Sequence, residues 1–592
     1  MDTATQNNKL IRKTILSMFG GSLAAMVTAV IAMMADTILA GAFFNKYAIA
    51  AVAVGTPIIN VFQALTQTIT NGASIKMNTS AGKGIEDDVQ SAFSTGMILS
   101  VLCGLIFIGL CQLFANRLVL MFGAAGEQVI NYSLWYLRGS TGCIVFATVN
   151  TFMSKTLALY GLQKIIFRSS FIAIFCNILF SFILVNILPE NIAIVGLGIG
   201  TWMGGCLAAT SSYFALKKHN ISLKFRVKDV KLSTLKEFVY HGLPSSGNNL
   251  ADGVVSGIVN NIIVGGIKNG VLALAVFTAV KSIANFATAI ILAINLSVTP
   301  LFGIMYGSRD RNGILRSYKE SLRLAFIALM ICAVAVTAFS PLLAKVFDMQ
   351  GMDFYIGVVV CMFIYLPLTG LVRITAQFFE SIEKPAMGFL YSAVPDSLIF
   401  PVLLALLVPF MGYNGIWISY SLNAIPFIVA LYLMRSIKEK SLVLSYNRMF
   451  CLDEEIRDNV PKIDISIRNI NEDITFISEK VYSFLMNEGF EHRTAHATAL
   501  CLEEIAADFV SHTRAVEVKN SDKVIMDIKL FCDEDQLRTI IRNEAPIYNP
   551  MDFEFDNESF SKVGIKLAQR LAHSIKYSYV YKMNIITIDM KK

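Results

Sequence analysis

The first 440 or so residues of this chain repeat themselves. ADTILAG (35–41) returns in degenerate form as VNNIIVG (259–265), which sets Asp36 opposite Asn260 and Gly41 opposite Gly265. Further on, Gly82 of SAGKG answers Gly307 of YGSRD, and Lys164 of YGLQK answers Lys384 of SIEKP. The offset between the copies drifts slowly over more than a hundred residues. Each copy carries about six apolar stretches, and a membrane span needs about 20 such residues. Twelve candidates run approximately over 14–43, 47–76, 91–114, 132–161, 165–188, 191–217, 236–266, 270–305, 318–346, 354–380, 386–409 and 412–436. A duplicated bundle of spans is the signature of a secondary transporter that rocks two halves about a central site.

Composition agrees. The chain is 55% hydrophobic and 16% charged, against about 25% charged for soluble chains. Residues 445–592 hold 25 Asp and Glu against 19 Lys and Arg, while the rest holds 18 against 31. A basic membrane part is thus joined to an acidic soluble part. The basic residues are spread over short loops, which argues against a nucleic-acid surface. Ten cysteines without a C-x-x-C pair read as reduced packing residues. No cleavable leader is expected.

The loops rich in Lys and Arg alternate with loops that hold few. The positive-inside rule puts the basic set and both termini in the cytoplasm of a cell-membrane protein. Both copies then enter from the same side, so the repeat is parallel. The expected organisation is an N-terminal lobe (1–225), a C-terminal lobe (226–440), a linker (441–460) and a cytoplasmic domain (461–592). The fold class is therefore an all-α polytopic membrane protein of two six-helix bundles plus a soluble two-layer α/β domain. In the tail, IDISIRN (463–469) alternates like a strand, 472–488 and 493–512 are amphipathic helices, and 522–543 reads as a hairpin. Residues 560–575 read as a helix and 576–590 as two short strands.

Charges inside spans cost about 2.5–3.5 kcal/mol each on insertion scales, so each asks for a role. Asp36, in the first span, can take up a proton or a sodium ion from a water-filled cavity. Asp252 stands beside Asn248 and Asn249, a polar stripe suited to a cation. Asp396 follows Pro395, where a helix break frees carbonyls. Lys281 and Arg373 are partners for these acids or ligands for anionic groups. Asn177 and Asn260 complete the candidate cavity. Glu380 and Lys155, near helix ends, are expected to snorkel.

With ADTILAG, NGASIKMNTSAGKG (71–84), GLP (242–244), VTPLFGIMYG (298–307), and Asn177 followed by VGLGIGT (195–201), the chain resembles the multidrug and toxic compound extrusion (MATE) family over roughly residues 10–440. The resemblance implies twelve helices and cation-driven export of small amphipathic compounds, with Asp36 at the family's coupling acid. Asp252 falls on a seventh-span acid of sodium-linked members. A second N-lobe acid of some members falls on Ser181, and their tenth-span Asp has no counterpart at Leu368 or Thr369. The coupling ion, proton or sodium, stays open.

ALCLEEIAADFVSH (499–512), NEAPIYNP (543–550) and KVGIKLAQRLA (562–572) resemble the nucleotide boxes of histidine kinases and anti-sigma-factor kinases. The resemblance implies Glu504 as the activating acid, Asp508 in place of a magnesium-holding Asn, Asn543 in place of the adenine-reading Asp, and Gly564 as the remnant of a glycine-rich lid. Three altered boxes point to a module that no longer needs ATP or magnesium and instead meets a cytoplasmic regulatory protein or acts on the transporter. No enzyme activity and no bound cofactor or metal are expected. The rival readings are a lipid-linked precursor flippase, which would want a more cationic cavity, and a membrane-held signalling protein whose tail binds ATP or a regulator.

Overall fold

The computed structural model describes residues 3–439 and 462–591, apart from 45, 123, 125, 220, 222, 268, 347, 348, 350, 516–523, 533–535 and 553–561. Among these described residues, eighteen α-helices fill the first part. In the N-terminal copy these are α1 (Thr3–Phe43), α2 (Lys46–Gly82), α3 (Glu86–Leu113), α4 (Ala115–Met121), α5 (Glu127–Ser140), α6 (Cys143–Leu159), α7 (Gln163–Ile187) and α8 (Val195–Lys218). In the C-terminal copy they are α9 (Leu235–Gly266), α10 (Gly270–Gly307), α11 (Arg311–Ala338), α12 (Ser340–Val346), α13 (Met352–Val360), α14 (Leu366–Ser381), α15 (Pro385–Ala393), α16 (Phe400–Met411), α17 (Tyr413–Leu422) and α18 (Ala424–Glu439).

Among the described residues, eight helices are long and apolar enough to cross a membrane, and up to ten if two bent pairs each make one span. Those pairs are α5 with α6, bent by 44°, and α17 with the 424–433 part of α18, bent by 45°. The expected sixth and seventh stretches fall on α8 and α9, which are outside that count. Helix α8 spends its positions on glycine rather than on apolar bulk. A Cβ on Gly200 would meet Ser181 and Asn177, and one on Gly204 would meet the Ala173 carbonyl, so α8 lies backbone-close against α7. Two π-helical turns interrupt the C-terminal lobe, Cys361–Tyr365 and Val394–Ile399, the second beginning beside Pro395.

The two copies of the repeat meet closely at one end, where α2 runs beside the start of α9 and the end of α10. Lys76 pairs with Glu237 at 2.6 Å, and Thr68 and Ser246 share a hydrogen bond of 2.5 Å. The approach requires glycine. A Cβ on Gly242 would fall on the Thr68 carbonyl oxygen, and one on Gly82 on the Ile304 carbonyl oxygen. Both copies of the repeated small-residue segments are spent on this seam.

Among the described residues the tail is a five-stranded antiparallel sheet with three helices. Its elements are β1 (Lys462–Arg468), α19 (Asn471–Asn487), α20 (His492–Ala515), β2 (Ile525–Cys532), β3 (Gln536–Asn543), α21 (Val563–Leu571), β4 (Ser574–Val580) and β5 (Met583–Lys591), in sheet order β1-β2-β3-β5-β4. The expected helix over 560–575 stops at Leu571, because the His573 amide already donates to the Asp589 carbonyl in the sheet. Strand alternation sends Met526, Ile528 and Leu530 into a core with Ile477, Leu502 and Phe509 of the helices. The opposite face carries Asp527, Lys529 and Arg542. In a free-standing domain this face would meet water; here it is buried against the helical part. A single apolar cluster runs from Leu10, Phe152 and Leu159 through Phe302 and Tyr318 to Tyr581 and Ile585, joining both copies and the tail.

Glu380 departs from expectation. It is buried rather than reaching outward, with Gly388 of α15 packed on its side chain. Lys155 is half-buried and donates to the Asn71 side chain.

Candidate functional site

Asp36 sits inside the N-terminal copy, buried, on α1. Three side chains from three helices converge on its carboxylate. The Tyr136 hydroxyl of α5 donates to Oδ2 at 2.9 Å. The Thr201 hydroxyl of α8 donates to Oδ1 at 2.9 Å, and the Asn177 amide of α7 donates at 3.4 Å. Ser181, one turn further along α7, donates to the Asn177 Oδ1 at 3.1 Å and so orients that amide. No ion pair to a described residue neutralises Asp36. A lone buried carboxylate held by two hydroxyls and an amide NH2 can exchange a proton or a hard cation such as sodium.

Sequence reasoning singled out Asp36 and Asn177, which the structure brings together, and did not single out Tyr136 and Thr201. Thr201 closes the VGLGIGT motif, so its signal was present. Tyr136 carries none, because a tyrosine 100 positions away in a span reads as packing. Ser181, the position where some MATE members have an acid, here supports the same cluster.

The other polar residues do not join this group. Asp396, on the π-turn, accepts from Asn423 at 2.9 Å and pairs with Arg373 at 3.3 Å. That contact ties α14 and the π-turn to the start of α18, and it realises the pairing reading for Arg373. Lys281 is half-buried on α10 and forms no ion pair with a described residue. Asn260, the repeat mate of Asp36, is exposed on α9. The side chains of Asp252 and Asn248 lie outside the described residues.

In the tail, Asp508, Tyr548 and Lys562 of the resembled nucleotide boxes come together and satisfy one another. Asp508 accepts from Lys562 Nζ at 2.6 Å and from the Tyr548 hydroxyl at 2.6 Å. The His512 ring stacks on Tyr548 with centroids 3.7 Å apart. Burial pushes the Tyr548 phenol up, helped by the neighbouring Asp508, so the hydroxyl stays a donor. Asn543 is held by the Asn584 amide at 2.9 Å. Glu504 lies against Gly564, and its carboxyl is raised by burial and by Glu503 and Asp508. Among the described residues no group of three or more His, Cys, Asp or Glu could hold a metal ion.

The polar face of the sheet makes the second site. Asp310, between α10 and α11, accepts from Lys529 Nζ at 2.7 Å and from Arg542 at 2.5 Å, with all three side chains 1% exposed. Arg542 also donates to the Ser308 hydroxyl at 2.8 Å. Asp464 and Asp527 stand 3.6 and 3.8 Å from Lys529, and Arg316 pairs with Asp464 at 3.1 Å. Three cations thus face three carboxylates. Burial acts to raise Asp310, but the Lys529 and Arg542 charges and hydrogen bonds outweigh it and hold this carboxyl well below its ordinary value. Burial raises Asp527, against the same two cations.

Beside this cluster, Tyr581 at the β4–β5 turn reaches both copies. Its amide donates to the Leu159 carbonyl of α6 at 2.7 Å, and its hydroxyl donates to the Ser297 carbonyl of α10 at 2.6 Å. Tyr581 takes a positive φ of 55° to do so. Glu544 accepts from Lys13 at 2.5 Å and from Thr14 at 3.1 Å on α1.

Eight to ten helices long and apolar enough to cross a membrane, among the described residues, make this a polytopic membrane protein. The chain belongs to the MatE family: its signature matches residues 22–183 and again 253–405, once in each copy of the repeat and over more than half of the chain. Solved structures agree in fold. A MATE transporter from Vibrio cholerae superposes with a TM-score of 0.66 at 15% identity, covering 74% of this chain and 99% of that one. An outward-facing MATE transporter of the MOP superfamily gives 0.63 at 18% identity, covering 73% and 96%. A MOP superfamily transporter from Pyrococcus furiosus gives 0.63 at 19%, covering 74% and 99%. No curated protein matches the chain in sequence.

Proposed function

We propose that this chain is a cation-coupled antiporter that exports amphipathic compounds by alternating access, with twelve spans in two six-helix lobes and both termini in the cytoplasm. The observation that carries the coupling is Asp36, a buried carboxylate held by Tyr136, Asn177 and Thr201 without a fixed counter-charge. Uptake of a proton or sodium ion there changes the charge of the N-terminal lobe, and release resets it. Vesicles carrying Asp36→Asn protein test this under an imposed proton or sodium gradient. Coupled substrate efflux falls to background; efflux at the unsubstituted rate sinks the Asp36 role.

The tail is read as a cytoplasmic domain that regulates the transporter by docking on it. Its contacts fall on both lobes at the end where α2, α9 and α10 close. Opening that end separates Leu159 from Ser297, and Tyr581 is bonded to both. The docked tail and a cytoplasm-open cavity are therefore incompatible, so the tail holds the inner gate shut. Lys562 on Asp508 supports a tail that works without nucleotide. A resistance profile of cells carrying the full chain, against cells carrying a chain ended after Lys440, reads this directly: the shorter chain transports faster, or the gating role fails.

A further inference from the structure

A cavity of about 640 Å³ opens between the tail and the N-terminal lobe, within the size range of small-molecule sites. Along it runs β4, an edge strand that among the described residues pairs only with β5. One wall belongs to the helical part, from the α2–α3 turn, the end of α6 and Ile221, Leu223 and Arg226; the other belongs to the tail, from Ile547, Tyr548, Asn549, Asp552 and residues 577–580.

Its chemistry is specific. Four tyrosines line it, Tyr160, Tyr548, Tyr577 and Tyr579. Two are fixed, Tyr577 by donating to Asn584 at 2.9 Å and Tyr548 by donating to Asp508. The Tyr160 and Tyr579 hydroxyls have no hydrogen-bond partner among the described residues. Glu86, Asp87 and Asp552 stand at the rim, and none is ion-paired to a described residue. Arg226 is the single cation among the lining residues. This acidic rim lies among basic loops carrying Lys224, Lys228 and Lys231. The Tyr548 ring is already taken, with His512 stacked on it and Lys562 Nζ 5.1 Å from its centroid, which leaves Tyr160, Tyr577 and Tyr579. Tyrosine faces attract cations through the ring quadrupole, and the carboxylates add attraction for the same charge while repelling phosphates.

We propose that this cavity binds aromatic organic cations from the cytoplasm and that an occupied cavity keeps the tail docked. The second half rests on the gating role given to the tail. A ligand touching both walls has its full set of contacts only when the walls are together. It binds the docked arrangement more tightly and by linkage shifts the chain toward it. The cavity is separate from Asp36, which is buried within the N-terminal lobe.

The test uses the full chain in lipid nanodiscs and an azide-bearing tetraphenylphosphonium as photoreactive probe. Illumination is expected to label residues 85–90 or 577–580, with excess tetraphenylphosphonium suppressing the label. The same peptides stay labelled in Asp36→Asn protein. Labelling falls about tenfold in Tyr579→Ala and in Glu86→Gln combined with Asp552→Asn, a coupling of ordinary size. The proposal is overturned by a chain labelled nowhere in these segments, or by label that these variants leave unchanged. A second readout separates it from the gating role. Lys529→Gln with Arg542→Gln releases the tail while leaving its helix-packed core intact, and exchange at the Tyr581 amide reports the release. Label lost on release supports the two-walled site; label retained at full strength on a released tail overturns it. If the substituted chain stays docked, the ion cluster does not hold the tail, and the wild-type labelling still decides the cavity.

Discussion

Asp310→Asn isolates the charge that fastens the tail. Asparagine caps a helix as well as aspartate does, so the bond from the Gly313 amide to Oδ1, 2.8 Å long, has a replacement. What disappears is one negative charge between Lys529 and Arg542. The cluster goes from three cations facing three carboxylates to three facing two, at a site where both cations are 1% exposed. Removing one partner of a buried pair costs about 3–5 kcal/mol, and about 1.4 kcal/mol is a factor of ten. The docked state is therefore expected to lose roughly two to three and a half decades in its equilibrium with the released state, where the cations regain water. Hydrogen exchange at the Tyr581 amide, which donates to Leu159 across the seam, measures it. Exchange there rises by about a hundredfold or more, while Ile528 and Leu530 in the tail core stay protected. Lys13→Gln is the control: that lysine is 63% exposed, and such a pair is worth at most about 1 kcal/mol. Adding Lys529→Gln to Asp310→Asn restores charge balance and recovers part of the protection. If Tyr581 exchanges in Asp310→Asn as slowly as in the unsubstituted chain, the ion cluster is not what holds the tail.

Four further outcomes follow from the geometry. Because its docked value is depressed, Asp310 contributes docking stability in full above the ordinary carboxylate range, roughly pH 4, and loses it progressively as pH falls from there to the depressed value; Tyr581 exchange corrected for intrinsic rate stays flat from pH 8 to about pH 5 on Asp310's account. Tyr136→Phe removes one charge-assisted hydrogen bond from Asp36, worth about 1.5–3 kcal/mol, and shifts the pH or sodium dependence of efflux without abolishing it. Gly242→Ala puts a methyl on the Thr68 carbonyl and costs about 1–3 kcal/mol of overpacking in the closed seam, seen as increased distance between spin labels on α2 and α9. Titration of the full chain with ATP and magnesium leaves tail exchange unchanged, and Lys562→Ala does not create binding, since Tyr548 still occupies Asp508.

The repeat and the apolar stretches were enough, from the sequence alone, to fix a duplicated helical membrane part and a separate α/β tail. Hydrophobic periodicity is a local property, and burial of apolar surface acts on it directly. Asp36 was legible for the same reason: a charge in an apolar run has to be accounted for. Tyr136 was not, because its role depends on α5 crossing α1, a contact between residues 100 positions apart. The polar face of the tail shows the limit most clearly. Alternation in β2 and β3 marked Asp527, Lys529 and Arg542 as facing away from the tail's own core, and in a soluble domain that direction is water. Only the tertiary structure turned that face toward Asp310 and set Tyr581 between Leu159 and Ser297. A side-chain pattern specifies which face is polar; what covers the face is decided by surfaces that meet hundreds of residues apart.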